Sequence, residues 1–191
     1  MDNLAQPNFS IGRVALATGV KAETIRTWFK TGKISLGATD LDVPQEGLGR
    51  MLSGRTAIAI GIAGALTGLY EIKTEIAVNA AIKFAHVGDE HRDPGFLFPT
   101  GSTFLVIGPH GSEIVRIGGD ERFADVFAKY QRRQAQLPAT IFFELDELVD
   151  RIRCNLGLGR DPLDAVSCEP AGYASKEKTK AKRRKMEMVR A

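Results

Sequence analysis

Three cations on one short segment give the chain its first chemical signal. Lys21, Arg26 and Lys30 lie in FSIGRVALATGVKAETIRTWFKTGKI (residues 9–34), beside the indole of Trp28. Arg26 and Lys30 are four apart, so on a helix they share a face, with Thr27 near them. Guanidinium and ammonium groups at that spacing suit phosphates and base edges. A second cluster is HVGDEHRD, with His86, Asp89, Glu90, His91 and Asp93 inside eight residues. These are metal-ligand types, but their spacing matches no zinc motif and a solvated loop is the plainer reading. His110 falls in a turn, Ser112 and Ser167 lack a nucleophile-elbow setting, and no Gly-Lys-Ser/Thr marks a phosphate loop. No catalytic residue, metal site or cofactor is therefore expected, and binding is favoured over turnover.

The elements that must position the cations can be read around them. Ser10 is a suitable N-cap for a first helix over about 11–18, whose Ile11, Val14 and Ala15 form an inward stripe. Gly19 supplies the positive φ that ends it, and Val20 fills the gap before a second helix over about 22–31. Ile25 and Phe29 anchor that helix, and Gly32 ends it. Two short amphipathic helices around a tight turn are the pattern of a helix-turn-helix, whose second helix enters the major groove. The same pattern also occurs in cores that touch no nucleic acid, with Trp28 then purely structural. Lys33–Leu36 and Arg50–Leu52 are candidate strands of a wing, joined by the loop GATDLDVPQEGLG. Asp40, Asp42 and Glu46 make that loop acidic. DNA would repel such a tip, so it is expected to point away or to meet a protein partner. Helices follow over about 56–67 and 71–85, the latter with Ile72, Ile76, Ala80 and Phe84 every fourth residue.

This frame resembles the N-terminal DNA-binding unit of the MerR family. The shared residues are Ile11-Gly12, Val14-Ala15, Thr18-Gly19-Val20, Thr24-Ile25-Arg26, the aromatic Trp28, and Gly32 before an apolar residue. The resemblance covers about a third of the chain, and excisionase-like and small phage regulators share the frame. It implies that Arg26 and Trp28 contact DNA, mainly its backbone, and that Lys21, Glu23 and Thr24 approach the bases with Thr27. With Lys30, Arg13 and the wing-flanking Arg50 and Arg55, these residues make up the candidate DNA-binding set. The MerR pattern continues into a long dimerising helix. Here His86–Gly101 is a loop with two Pro and three Gly, so that route to a dimer is missing.

The second half reads as β-β-α-β-α. Thr103–Ile107 and Glu113–Ile117 form a hairpin around GPHG, Glu121–Arg133 a helix with Phe123, Val126, Phe127 and Tyr130 inward, Thr140–Leu145 a strand, and Asp146–Leu156 a helix. The expected fold class is α+β: a winged helix-turn-helix domain at 1–92, a small α+β domain at 93–158, and a disordered basic tail at 159–191. At 191 residues, 43% hydrophobic and 26% charged, the chain has the composition of a globular protein. Its net charge of +3 is uneven: the last eighteen residues hold eight Lys/Arg and two Glu. Such a tail can follow phosphates in a salt-dependent way, or simply solubilise. Two cysteines, no leader-like start and a longest apolar run of only Ala57–Leu66 point to a reducing cytoplasm and no membrane. The expected function is a sequence-specific transcriptional regulator of bacterial or phage type, with double-stranded DNA as partner and a homodimer as the working form. The alternatives are an excisionase-like or terminase-small-subunit-like architectural factor and, more remotely, a ligand sensor or enzyme in the C-terminal half.

Overall fold

The computed structural model describes residues 3–42, 49–108, 111–119, 121–133 and 140–159. It is a mixed α+β fold with two small antiparallel sheets. After a 3-10 turn at Asn3–Ala5, the elements are β1 (Pro7–Ser10), α1 (Ile11–Thr18), α2 (Ala22–Lys30), β2 (Met51–Ser53), α3 (Gly54–Leu69), α4 (Thr74–His86), β3 (Ser102–Gly108), β4 (Gly111–Ile117), α5 (Phe123–Arg133), β5 (Ile141–Glu144) and α6 (Asp146–Leu156). No helix among the described residues is long and apolar enough to cross a membrane.

The central element is α3. It is buried on nearly every side, including Ile58, Ile60, Ile62 and Leu66. Helices α1, α4 and α6 all pack on it. Such approach needs small residues, and two glycines provide it. A Cβ on Gly61 would run into Ile152 Cδ1 of α6 and lie 3.2 Å from Thr18 Cγ2. A Cβ on Gly64 would overlap Val20 Cγ2. The turn between α1 and α2 is thus seated on α3 by one valine against one glycine.

The first two helices form as their sequence dictates. The Ser10 hydroxyl accepts from Arg13 N at 3.3 Å, and Gly19 adopts φ 75° with its N–H on Ala15 O. Trp28 O accepts the amides of Lys33 and Ile34, which closes the end of α2 and turns Ile34 into the core. The expected wing takes a different form. Lys33–Leu36 is not a strand. Strand β2 pairs instead with β1, a strand the sequence did not signal, in the register Phe9↔Leu52 and Ser10↔Met51. A single bridge, Leu41↔Met51, closes the base of the loop, and residues 43–48 with Glu46 lie outside the described residues.

The larger sheet has the order β4-β3-β5, all antiparallel. Leu105 opposes Ile114 and Phe143, and this face joins the core shared with α3. On the other face Phe104 and Phe142 meet Phe123 and Phe127 of α5, with centroids 5.2–5.6 Å apart across the sheet–helix contact. The side chain of Tyr130, expected inward on α5, lies outside the described residues.

Two expectations about organisation change. The buried apolar residues form one cluster from Leu4 to Leu156, so packing runs across the expected boundary at residue 92. The reason is α6, which belongs to the second half in sequence but lies on α1 and α3. Cys154 of α6, one of the two cysteines expected to fit a reducing cytoplasm, is disulfide-bonded. Cys168 and the basic tail from residue 160 lie outside the described residues.

The seat of the turn is testable. Gly64→Val removes a helix-interior glycine, a gain of under about 1 kcal/mol, but overpacks against a stiff β-branched partner. A net loss of about 1–3 kcal/mol is expected in urea unfolding of the full chain. Unchanged or raised stability would show that Val20 is not held there.

Candidate nucleic-acid interface

Helix α2 divides into two faces. Ile25, Trp28 and Phe29 are buried against the core, whereas Lys21, Glu23, Arg26, Thr27 and Lys30 are exposed. Lys33, just beyond the helix, is exposed too. This surface therefore presents four cations and one carboxylate, with Glu23 in the first turn where the helix dipole favours an anion. The Thr27 hydroxyl donates to Glu23 O at 2.9 Å, a bond to the preceding turn that fixes its rotamer. Thr24 is only half-exposed. It lines a groove of about 440 Å³ with Thr18, Val20, Trp28, Gly61 and Gly64, where α2 meets α3.

The other expected contacts have internal partners. Trp28 is 7% exposed and belongs to the core. Its ring anchors α2, which corrects the expectation that it lies on DNA. Arg13 Nη2 donates to Asn155 O of α6 at 2.8 Å, and Asn155 Nδ2 donates to Ala17 O at 3.0 Å. These two bonds, 138 and 142 residues apart in sequence, clamp α6 to α1. Arg50 pairs with Asp42 at 3.1 Å and lies 5.1 Å over the Phe29 ring. Arg55 is half-buried in the first turn of α3 beside the His86 site. Of the ten expected residues, Lys21, Glu23, Arg26, Thr27 and Lys30 are exposed, and helical spacing puts Glu23, Arg26, Thr27 and Lys30 on one face of α2, with Lys21 at its N-cap. Thr24 sits at its edge, and Trp28, Arg13, Arg50 and Arg55 serve packing or internal bonds.

The acidic loop is equally engaged within the molecule. Asp40 Oδ2 accepts from Gly37 N and Thr56 Oγ1, each at 2.7 Å, and Oδ1 accepts from Ser53 N at 2.6 Å. One carboxylate thereby ties the segment after α2 to the start of α3. His86, at the end of α4, reaches Thr56 Oγ1 at 3.4 Å. Asp40 is thus held within the molecule, whereas Asp42 is exposed and pairs with Arg50, and Glu46 lies outside the described residues.

The other cluster, His86–Asp93, closes α4. Arg92 is buried, donates to the carbonyls of Phe84, Val87, Asp93 and Phe96, and lies 4.8 Å over the Phe84 ring. One planar fork therefore satisfies a whole turn of carbonyls, which a lysine cannot do. Burial pulls its pKa down, and Asp89 and Asp93 oppose that. Among the described residues no three His, Cys, Asp or Glu converge on one point.

Lys33 and Asn155 are residues that the sequence did not assign, and Asp40 had been read only as part of an acidic loop. Lys33 had a signal, a fourth cation three places after Lys30. Asp40 and Asn155 had none, because Asp40 reaches Ser53 and Thr56, 13 and 16 residues away, and Asn155 reaches Ala17 and Arg13, 138 and 142 residues away.

No protein-family model, no curated protein and no solved structure matches this chain.

His86 makes a pH prediction. Burial lowers its pKa below the ordinary 6.5, Asp40 opposes this, and Arg55 adds to the lowering. Below pH 6.5 the unfolded chain then binds a proton that the folded one does not. The stabilising effect is present above 6.5 and fades as the pH falls toward the lower folded value. The thermal midpoint should therefore drop between pH 7 and pH 5.5, and His86→Gln should reduce that drop. An equal drop in both proteins would assign it to other groups.

Proposed function

We propose that the chain is a sequence-specific DNA-binding regulator of the helix-turn-helix type, resembling the MerR unit in its first third, with α2 entering the major groove. The observation that carries this reading is the division of α2. Its apolar anchors are buried, Arg26 and Lys30 share the opposite, exposed side, and Lys21 at the N-cap and Lys33 beyond the helix are exposed at its two ends. The three-residue link Gly19–Lys21 supports it, because it is short and seated on α3. In this reading Arg26, Lys30 and Lys33 fix register on phosphates, and Lys21, Glu23, Thr24 and Thr27 face base edges. Arg13, Arg50, Arg55 and Trp28 hold the unit in shape. The winged form of the domain, a homodimer on paired half-sites and a cytoplasmic setting belong to the same proposal.

Fluorescence anisotropy on labelled duplexes from around the gene tests it. Arg26→Ala should weaken the preferred fragment by about 1–3 kcal/mol, roughly tenfold to a hundredfold. Lys33→Ala should weaken all fragments alike and reduce the salt slope by about 1. Trp28→Phe should act mainly on stability. Equal binding of every fragment at physiological salt would replace the regulator with an architectural DNA-binding factor. No binding at low salt would remove nucleic acid from the account.

A further inference from the structure

Asp89, His91, Phe98, Pro99 and Arg116 line a cavity of about 430 Å³ between the loop after α4 and strand β4. It lies in the size range of small-molecule sites. Its chemistry has a direction. Phe98 and Pro99 give an apolar wall. Arg116 stands at the rim, its Nη1 donating to Thr100 Oγ1 at 3.0 Å. Asp89, the one carboxylate, is already occupied: it accepts from His91 N at 2.8 Å and faces the buried Arg92 Nε at 3.8 Å. With that charge balanced from behind, the guanidinium of Arg116 sets the sign of the cavity. An aromatic surface beside a guanidinium fits a flat apolar body carrying a carboxylate.

The cavity wall is also connected to the helix pair that carries α2. Phe98 N donates to Thr103 Oγ1 at 2.9 Å. Thr103 is fully buried, and its N–H donates to both carboxylate oxygens of Asp146, at 3.0 and 3.3 Å. Asp146 is the first residue of α6. At the other end of that helix Asn155 and Arg13 make the two bonds to α1. A loop that carries one wall of the cavity, one buried threonine and one helix thus form a continuous hydrogen-bonded and packed route to α1.

We propose that this cavity binds a small organic carboxylate with an aromatic or flat apolar body, and that its occupancy reaches α1 through Thr103 and α6. The ligand site stands independently of the DNA-binding reading. Only the regulatory meaning of the route rests on it. An occupant that orders the Phe98 loop would change the bond from Phe98 N to Thr103, and with it the seating of Asp146 at the start of α6. A two-state response of α6 would then bias the presentation of α1 and α2.

The test uses the full chain without DNA, so its failure and that of the DNA reading are distinguishable. Benzoate is titrated into ¹⁵N-labelled protein and amide shifts are followed, with cyclohexanecarboxylate, benzamide and inorganic phosphate as comparison probes. The expected result is saturable shifts at Phe98, Thr100 and Arg116 with a midpoint on the order of 1–10 mM, as suits a fragment-sized ligand. Smaller shifts at Ala17 and Asn155 should titrate with the same midpoint. Arg116→Gln, at an exposed position, should weaken binding at least tenfold, and benzamide, which lacks the charge, should match that loss. Phosphate should shift Arg116 without reaching Phe98. Thr103→Val keeps the shape but removes the hydroxyl, so it should preserve the shifts at the cavity and abolish those at Ala17. No saturable shift up to 50 mM (about five times the upper expected midpoint), or shifts indifferent to Arg116→Gln, would overturn the site. Remote shifts that survive Thr103→Val would overturn the route.

Discussion

The arrangement depends on how closely other elements approach α3. Val20 sits over Gly64 and Ile152 over Gly61, one helical turn apart on the same helix. Each contact places a branched side chain where a Cβ would otherwise be. The first fixes the turn between α1 and α2, and the second fixes α6. Because close-packed interiors transmit displacement rather than absorb it, the direction in which α2 points is set by these two contacts. The hydrogen bonds from α6 to α1 then lock an orientation that packing has already chosen.

Several of the arginines make contacts within the molecule. Arg92 and Arg153 are buried, and Arg13 and Arg50 make contacts within the molecule from its surface: the four donate to carbonyls, pair with Asp42 or Asp89, or lie over Phe29, Phe84 and Phe96. Planar guanidinium groups can satisfy several carbonyls and stack on a ring at once. The lysines of the first third, Lys21, Lys30 and Lys33, are left at the surface with Arg26. Lysine heads are strongly hydrated point charges and resist such use. The open face of α2 is therefore what remains after the fold has taken the arginines it needs. Arg26 is thus the arginine of α2 that is exposed.

Local signals made the first two helices legible. Ser10 as N-cap and Gly19 at positive φ set the limits of α1 where the structure has them, and the period of Ile25 and Phe29 identified the buried side of α2. Asp146–Leu156 was equally legible, with acidic residues at its start and Gly157 at φ 84° after its end. The misreadings share a different cause. Strand β1 begins at Pro7, has four residues and finds its partner more than forty positions later, so nothing in its own sequence announces a strand. Once β2 pairs with β1, Lys33–Leu36 does not become its main partner, and the expected hairpin reduces to one bridge. Asp40 looked like one of three surface acids in a polar loop. Its role depends on the amides and hydroxyl of residues up to sixteen positions away, information that a local reading does not contain.

The same non-locality bears on the division of the chain. Read in order, residues 1–92 hold a helix-turn-helix and two supporting helices, which suggests a closed unit. In space, Ile152 covers Gly61, Leu148 borders the groove beside Gly64, and Leu145, Val149 and Leu156 join the same buried cluster as Val14 and Ile58. Without α6, the small-residue face of α3 would be bare on the side that α6 covers. Strand β5 runs directly into α6, and Asp146 is fastened to β3 through Thr103. The sheet therefore does more than add a second module. It is the anchorage of the helix that braces α1.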